Sequence, residues 1–294
     1  MANLRDIKKR INSVKSTKQI THTMEMVSSA KIRKATERIL SSNPYNEAIH
    51  KMLAHLTESE FKNKHPLLQV HEEHKHVTFI IIVSDRGLAG GFNANILHAA
   101  EKKYRELSNE GLLIDVIVAG KKGISYFNYH NIPTCLSFTG LSADPTIAEA
   151  REISAFVRDR YINGETDEVI LVYNHARNAA DQDLMIEKVL PISLEALGLD
   201  EEEKPEFESF YEFEPSASRV LDVLLPDYLD TTIYHALIDS AAAEQGARRR
   251  AMKSATDNAS EIITTLQRQY NSARQAAITT EISEIVGGAA ALED

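Results

Sequence analysis

Three clusters along this chain carry residue types that could do chemistry. The first is Ser84-Asp85-Arg86-Gly87-Leu88-Ala89-Gly90-Gly91-Phe92-Asn93, a glycine-rich run directly after an apolar stretch. Glycines in that place can let backbone N–H groups cradle a phosphate. The spacing, however, fits neither G-x-G-x-x-G nor G-x-x-x-x-G-K-[ST], and no Lys-Ser/Thr follows to hold phosphate and magnesium. A tight turn joining a strand to a helix is the better reading, with Asp85 and Arg86 as exposed candidates for contact with a partner. The second cluster, His71-Glu72-Glu73-His74-Lys75-His76, has metal-ligand types, but Lys75 would repel a cation and the segment reads as a loop. The third is Cys135, the single cysteine, which reads as a buried, inert thiol. No paired acid–base constellation stands out. The residues therefore point to no catalytic group, no cofactor site and no metal site.

The elements around these clusters fall into three segments with different periods. From about Asn3 to Thr57 the chain reads as one long helix, with apolar residues at Leu4, Ile7, Ile11 and Val14 in coiled-coil alternation. The seam then moves to Ile20, Met24 and Val27, which predicts a stutter. Pro44, after Ser41-Ser42-Asn43, predicts a kink or short break. At 1.5 Å per residue an unbroken helix here would be roughly 80 Å long, more than a compact domain needs.

In the middle, Val77 to Val83 is a continuous, mostly β-branched run suited to a strand buried on both faces. A helix to about Leu107, a strand over Ile114–Val118, a short helix after Gly120, a helix over 145–161 and a strand over Glu168–Tyr173 follow. Alternating strands and helices predict an α/β sandwich on a mainly parallel sheet, with Met185–Ile192 as an edge strand. Glu58–Lys75 reads as a linker, and Asp200-Glu201-Glu202-Glu203-Lys204-Pro205 as a solvated loop.

The last segment is helical again. Pro226 reads as a helix N1 residue after a short helix over Ser216–Leu225, and Gly287-Gly288 as a stop. Gly246, the only interior glycine between them, costs about 1 kcal/mol against alanine. The face Ile262, Leu266, Tyr270, Ala273 and Ala277 is narrow, as close packing on another helix requires. The boundaries are 1–58 for the first helix, 59–75 for the linker, 76–215 for a Rossmann-like α/β domain and 216–294 for the closing helices. The fold class is α/β, with long N- and C-terminal helices forming an antiparallel coiled coil and the α/β domain inserted between them.

Composition limits the function classes. Apolar residues make up 43% and charged residues 26%, ordinary values for a soluble chain, and aromatics are only 6%. No run approaches the roughly 20 apolar residues of a membrane helix, and the first residues lack the apolar core of a signal peptide, so a soluble, cytoplasmic chain is expected. One cysteine allows no internal disulfide. Of the net charge of −10, residues 1–58 carry +6, the middle −12 and residues 216–294 −4. The basic first segment suggests an acidic partner surface. Charge alone leaves nucleic acid and protein both open. An α/β enzyme with helical oligomerisation arms would instead use the glycine-rich turn as an active-site loop.

Several motifs carry a family resemblance. Thr23-Met24-Glu25-Met26-Val27-Ser28-Ser29-Ala30-Lys31, Ser84 to Asn93, Tyr211-Glu212-Phe213-Glu214-Pro215, Ala255-Thr256-Asp257-Asn258-Ala259 and Tyr270 to Gly288 resemble the gamma subunits of bacterial F-type ATP synthases. The resemblance spans essentially the whole chain. It implies a rotor shaft without a catalytic site of its own, turning inside a ring of alpha and beta subunits. Its α/β domain would lie against the epsilon subunit and the c-subunit ring, so that proton flow drives ATP synthesis or hydrolysis at the beta subunits. The complex would sit at the cytoplasmic face of the bacterial cell membrane, with this chain peripheral, bound to no nucleic acid and without cofactor.

The resemblance further implies that Met24 faces an acidic beta-subunit lever. Lys31, Arg33 and Lys34 would complement acidic partner residues, and Arg274 and Gln275 would hydrogen-bond a beta-subunit loop. Some residues depart from the family pattern. His22-Thr23 stands where Lys-Ala is common, Ala89 replaces a cysteine of some members, and the thiol pair of chloroplast relatives has no counterpart. Arg248-Arg249-Arg250 is more basic than usual.

Overall fold

The computed structural model describes residues 4–57, 65–142, 144–178, 181–193, 214 and 216–293. They form two compact units, one of residues 1–28 with 249–294 and one of residues 29–248. Helix α1 spans Leu4–Thr57 and helix α5 spans Ala217–Glu293, so each contributes to both units. The acidic run at 200–205, most of the 211–215 motif and part of the linker, 58–64, lie outside the described residues.

In the larger unit, strands β1 (His76–Ile82), β2 (Leu113–Ala119), β3 (Leu136–Phe138), β4 (Glu168–His175) and β5 (Asp183–Leu190) form one sheet in the order β3-β2-β1-β4-β5. All neighbours pair parallel except β5, an antiparallel edge strand on β4. The central strand β1 is buried along nearly its whole length because side chains of both parities meet apolar layers. Ile80 and Ile82 point into a core built with helix α4 (Ile147–Ile162) and with α5 residues Leu225, Leu229 and Ile233. Val77, Phe79 and Ile81 point the other way, onto helices α2 (Phe92–Asn109) and α3 (Lys121–Tyr129). Helices on both faces of a mostly parallel sheet make the expected α/β sandwich. Strand β3, three residues long, has no counterpart in the sequence reading because so short a run has no usable period.

The histidine cluster ahead of β1 stitches strand starts together. His71 pairs with Asp167 at 2.8 Å and stacks on Tyr161, and His74 meets Glu168 at 2.7 Å. The Asp167 carboxylate also accepts the backbone N–H groups of Lys75 and His76. These ligand-type side chains thus serve the sheet.

The smaller unit is the antiparallel coiled-coil pair. The Thr21 and Thr256 hydroxyls bond at 2.7 Å, while the earlier Ile7 and Ile11 cluster with the later Leu266, Tyr270 and Ala273. Its seam corrects the expected stutter. Covered positions on α1 run Leu4, Ile7, Ile11, Val14, Lys18, Thr21, Glu25 and Ser28, an unbroken 3-4 alternation, and Met24 is half-buried beside it. Ile20 and Val27, assigned to the seam from their hydrophobicity, are exposed. Seam position follows helix geometry, and small or hydroxyl side chains occupy it without loss of register. On α5 the covered line is Met252, Thr256, Ala259, Ile263, Leu266, Tyr270 and Ala273, so the expected Ile262 and Ala277 lie off it.

No break in helical structure occurs at the three places where one was predicted. Helix α1 runs through Pro44, and α5 runs through Pro226 and on past Gly287-Gly288. A proline removes one i→i−4 bond, and near Pro44 the Ser41 and Ser42 hydroxyls donate to the carbonyls of Arg38 and Ile39 in the preceding turn. At Pro226 the neighbouring Leu225 and Leu229 are buried in the core, and tertiary packing outweighs the local preference.

Candidate functional site

In a doubly wound sheet, ligands bind beyond the carboxyl ends of the strands where the strand order reverses, here between β1 and β4. The glycine-rich run follows β1 at this edge. Asp85 stands at its start and works inward. One carboxylate oxygen accepts the Lys121 N–H at 2.9 Å, and the other accepts the Gly140 N–H at 3.0 Å and the Ser142 hydroxyl at 2.9 Å. One side chain thereby joins the loops that follow β1, β2 and β3. Burial pushes the Asp85 carboxyl up, but these donors outweigh burial and hold it below the usual carboxylate range. The expectation of an exposed Asp85 is corrected: it is half-buried and its acceptors are engaged, whereas Arg86 is exposed.

Gly120 shows how tightly this edge closes. Its φ is +124°, and a Cβ there would lie 2.1 Å from the Val83 carbonyl oxygen. Only glycine allows the two loops to approach so closely.

Helix α5 fills what remains of the crevice. Glu244 and Arg248, one turn apart, are 2% and 7% exposed and pair at 2.6 Å. Arg248 also donates to the carbonyl oxygens of Gly87 at 3.2 Å and Arg86 at 3.4 Å, in the glycine-rich turn. Burial keeps the Glu244 carboxyl above its ordinary value, with Arg248 opposing that shift. The space left among Ile82, Val83, Ala119, Leu141, Leu237 and Glu244 is about 10 Å³. That is room for one water, against the several hundred Å³ of a ligand pocket.

The remaining predicted residues lie on helix surfaces. In the larger unit, Lys31 and Arg33 are exposed, while Lys34 reaches Asp144 at 3.5 Å beside a close Arg38–Asp144 pair. Arg38, with help from Lys34, holds the Asp144 carboxyl below the usual range. In the coiled-coil unit, Met24 is half-buried, and Arg274 and Gln275 are exposed. From Arg274 to Val286 every residue of α5 is exposed, including Ile278, Ile282, Ile285 and Val286.

Of the predicted residues, the structure brings Lys31 and Lys34 together at one cavity of about 30 Å³, shared with Arg38, Asp144 and Gln245, while Met24, Arg86, Arg274 and Gln275 do not line it. Sequence reading missed Glu244 entirely and left Arg248 without a role. The i, i+4 acid–base spacing was a weak signal, since such pairs are ordinary on exposed helices. Cys135 is corrected too: the residue is exposed, although its thiol donates to the Val116 carbonyl at 3.4 Å and burial raises its pKa.

The whole chain has close counterparts. A family model described as ATP synthase matches residues 3–292. The ATP synthase gamma chain of Desulforamulus reducens is 44% identical over 293 residues, covering 100% of both chains. That of Streptomyces coelicolor is 40% identical over 297 residues, covering 100% of this chain and 97% of the relative. This chain belongs to the ATP synthase gamma chain family. Solved structures share the fold. A chain from the central stalk and c-ring of the Tetrahymena thermophila mitochondrial ATP synthase superposes with a TM-score of 0.61 at 24% identity, covering 80% of this chain and 99% of that one. A chain from the OSCP, F1 and c-ring assembly of Euglena gracilis gives 0.67 at 18% identity, covering 98% and 94%. Long terminal helices around a central α/β sheet are therefore the family architecture.

Proposed function

We propose that this chain is the central rotor shaft of a bacterial F-type ATP synthase and has no catalytic site of its own. The observation that carries the reading is the end of α5. A single helix that exposes Ile278, Ile282, Ile285 and Val286 along with every other residue from Arg274 to that point needs a surrounding partner to cover its apolar positions. A ring of alpha and beta subunits supplies that sleeve, and the narrow, small-residue seam of the coiled coil suits a shaft that turns within one. The filled crevice at the sheet edge supports the non-catalytic part of the reading, because α5 takes the space where a nucleotide would bind.

The contacts follow from exposure and charge. Arg274 offers a bidentate donor with Gln275 beside it for a beta-subunit loop. Met24 slides on its neighbours without a fixed ion pair. Lys31, Arg33, Lys34 and Arg86 face acidic partner groups, and Asp85 contributes by fixing the turn that carries Arg86. The α/β unit contacts the epsilon subunit and the c-ring, whose proton-driven rotation the shaft passes on. The chain is peripheral, on the cytoplasmic face of the cell membrane, and no helix among the described residues is long and apolar enough to cross one.

The test is reconstitution with alpha and beta subunits and a bead on the α/β unit. Rotation in a fixed direction during ATP hydrolysis is the expected result, and stable assembly without rotation overturns the reading. In the complete complex, Arg274→Ala is expected to lower ATP-driven proton pumping about tenfold while leaving the far-ultraviolet circular dichroism of this chain unchanged. That loss corresponds to one charged hydrogen bond of about 1.4 kcal/mol. Unaltered pumping would remove Arg274 from the contact.

A further inference from the structure

The turn after β1 has an unusual backbone. Leu88, a branched residue that is 64% exposed, sits at φ +63° in the left-handed region, and Gly90 follows at φ +58°. Leucine disfavours that region and gains no burial by adopting it, so something nearby must hold it there. The two carbonyls just before Leu88, those of Arg86 and Gly87, are the ones that accept from Arg248. The Ser84 hydroxyl also donates to the Arg86 carbonyl at 2.6 Å and is itself tied to Asn93. Glu244 fixes the guanidinium from the opposite side. An ionised pair buried to this degree is costly unless its remaining donors find acceptors, and the turn supplies them. The bonding thus runs from α5 through one guanidinium into the turn that holds the left-handed Leu88.

We propose that Arg248, oriented by Glu244, is a positioning residue that sets the conformation of the 85–91 turn and so presents Arg86 and Leu88 as a rigid contact surface. The conformational part stands on this geometry alone. The contact part rests on the rotor reading, in which the turn meets a partner and α5 carries the torque. A planar guanidinium reaches two carbonyls and one carboxylate together, which an ammonium on a flexible stem does not reproduce. The basic run at 248–250 therefore divides by task, with Arg248 turned inward and Arg250 exposed.

The experiment is amide hydrogen exchange on the full-length chain, comparing residues 84–93 with β2 as the internal reference. Arg248→Met is expected to speed exchange in 84–93 at least tenfold and leave β2 unchanged. Arg248→Lys should fall between it and the wild type. Adding Leu88→Asn to Arg248→Met should recover most of the protection, because asparagine tolerates the left-handed region. Unchanged exchange in Arg248→Met, or an equal rise in β2, overturns the proposal. Should Arg248→Met fail to fold, Glu244→Gln decides the matter instead: a several-fold rise confined to 84–93 supports the proposal and no change overturns it. The readout requires no partner subunit, so a negative result here leaves the rotor reading intact, and absence of rotation leaves the exchange result intact.

Discussion

Ile80 and Ile11 are both buried isoleucines, yet they sit in very different surroundings. Ile80 belongs to a core in which β1, β4, α4 and α5 all contribute side chains. Ile11 shares its cluster with Ile7 and Leu266, with Val14, Tyr270 and Ala273 only partly covered around them. Elsewhere along that seam the covered positions include polar side chains, and the Thr21 and Thr256 hydroxyls bond to each other. The α/β unit thus carries enough buried apolar surface to hold its own shape. The coiled-coil unit buries a single line and leaves the rest of its surface for others to cover. A shaft needs one part that is gripped firmly and another that slips inside its sleeve, and the two units have the surfaces for these tasks.

The comparison can be broken most severely at Gly120. Gly120→Ala forces a Cβ against the Val83 carbonyl in a left-handed backbone, and is expected to cost about 3–5 kcal/mol from clash and strain together. Gly111→Ala is the control, since Gly111 also has positive φ but nothing lies within 4 Å of its Cβ position. It should cost about 1–2 kcal/mol in urea unfolding. Equal costs would show that the tight approach of the loops contributes nothing.

Asp85→Asn should have a smaller effect, about 1–2 kcal/mol near pH 7, reduced by the partial exposure of the carboxylate. The sign follows from its depressed folded pKa. The ionised form is favoured in the folded state, so its stabilisation is present above the unfolded value near 4 and is lost as pH falls through the lower folded value. Wild type and variant should therefore converge in acid. A gap that does not narrow as the pH is lowered from neutrality through the unfolded value would contradict the hub assignment.

The smallest change belongs to the seam. Thr256→Val should cost about 1 kcal/mol by removing one buried hydroxyl partner, and adding Thr21→Val should recover most of it. A double-mutant cycle by thermal unfolding reads that coupling, and additive effects would mean the two hydroxyls do not act as a pair.

Much of this architecture is legible in the order of the residues. The β-branched run at 77–83 could be little else than a central strand, and the helical pattern over 145–161 matches α4 to within two residues at either end. The coiled-coil pair is visible in the 3-4 spacing of Leu4, Ile7, Ile11 and Val14 on a helix longer than a compact domain needs. The seam beyond Val14 is hidden because Lys18, Thr21, Glu25 and Ser28 do not advertise burial. Pro44, Pro226 and Gly287-Gly288 look like interruptions because local preference is all that a sequence window contains.

The candidate site divides in the same way. Arg274, Gln275 and the 84–93 turn belong to local motifs, and a local motif survives in the order of the residues. Period and composition likewise determined the element types, the parallel sheet and the paired terminal helices. Only the tertiary structure decided that Asp85 faces inward, that Glu244 and Arg248 close the crevice, and that α5 stays unbroken. The first two depend on contacts between residues 36 to 162 positions apart, and the third on the core that buries Leu225 and Leu229. Separations of that size lie far beyond the three- and four-residue reach of helical periodicity, so no local pattern could encode them.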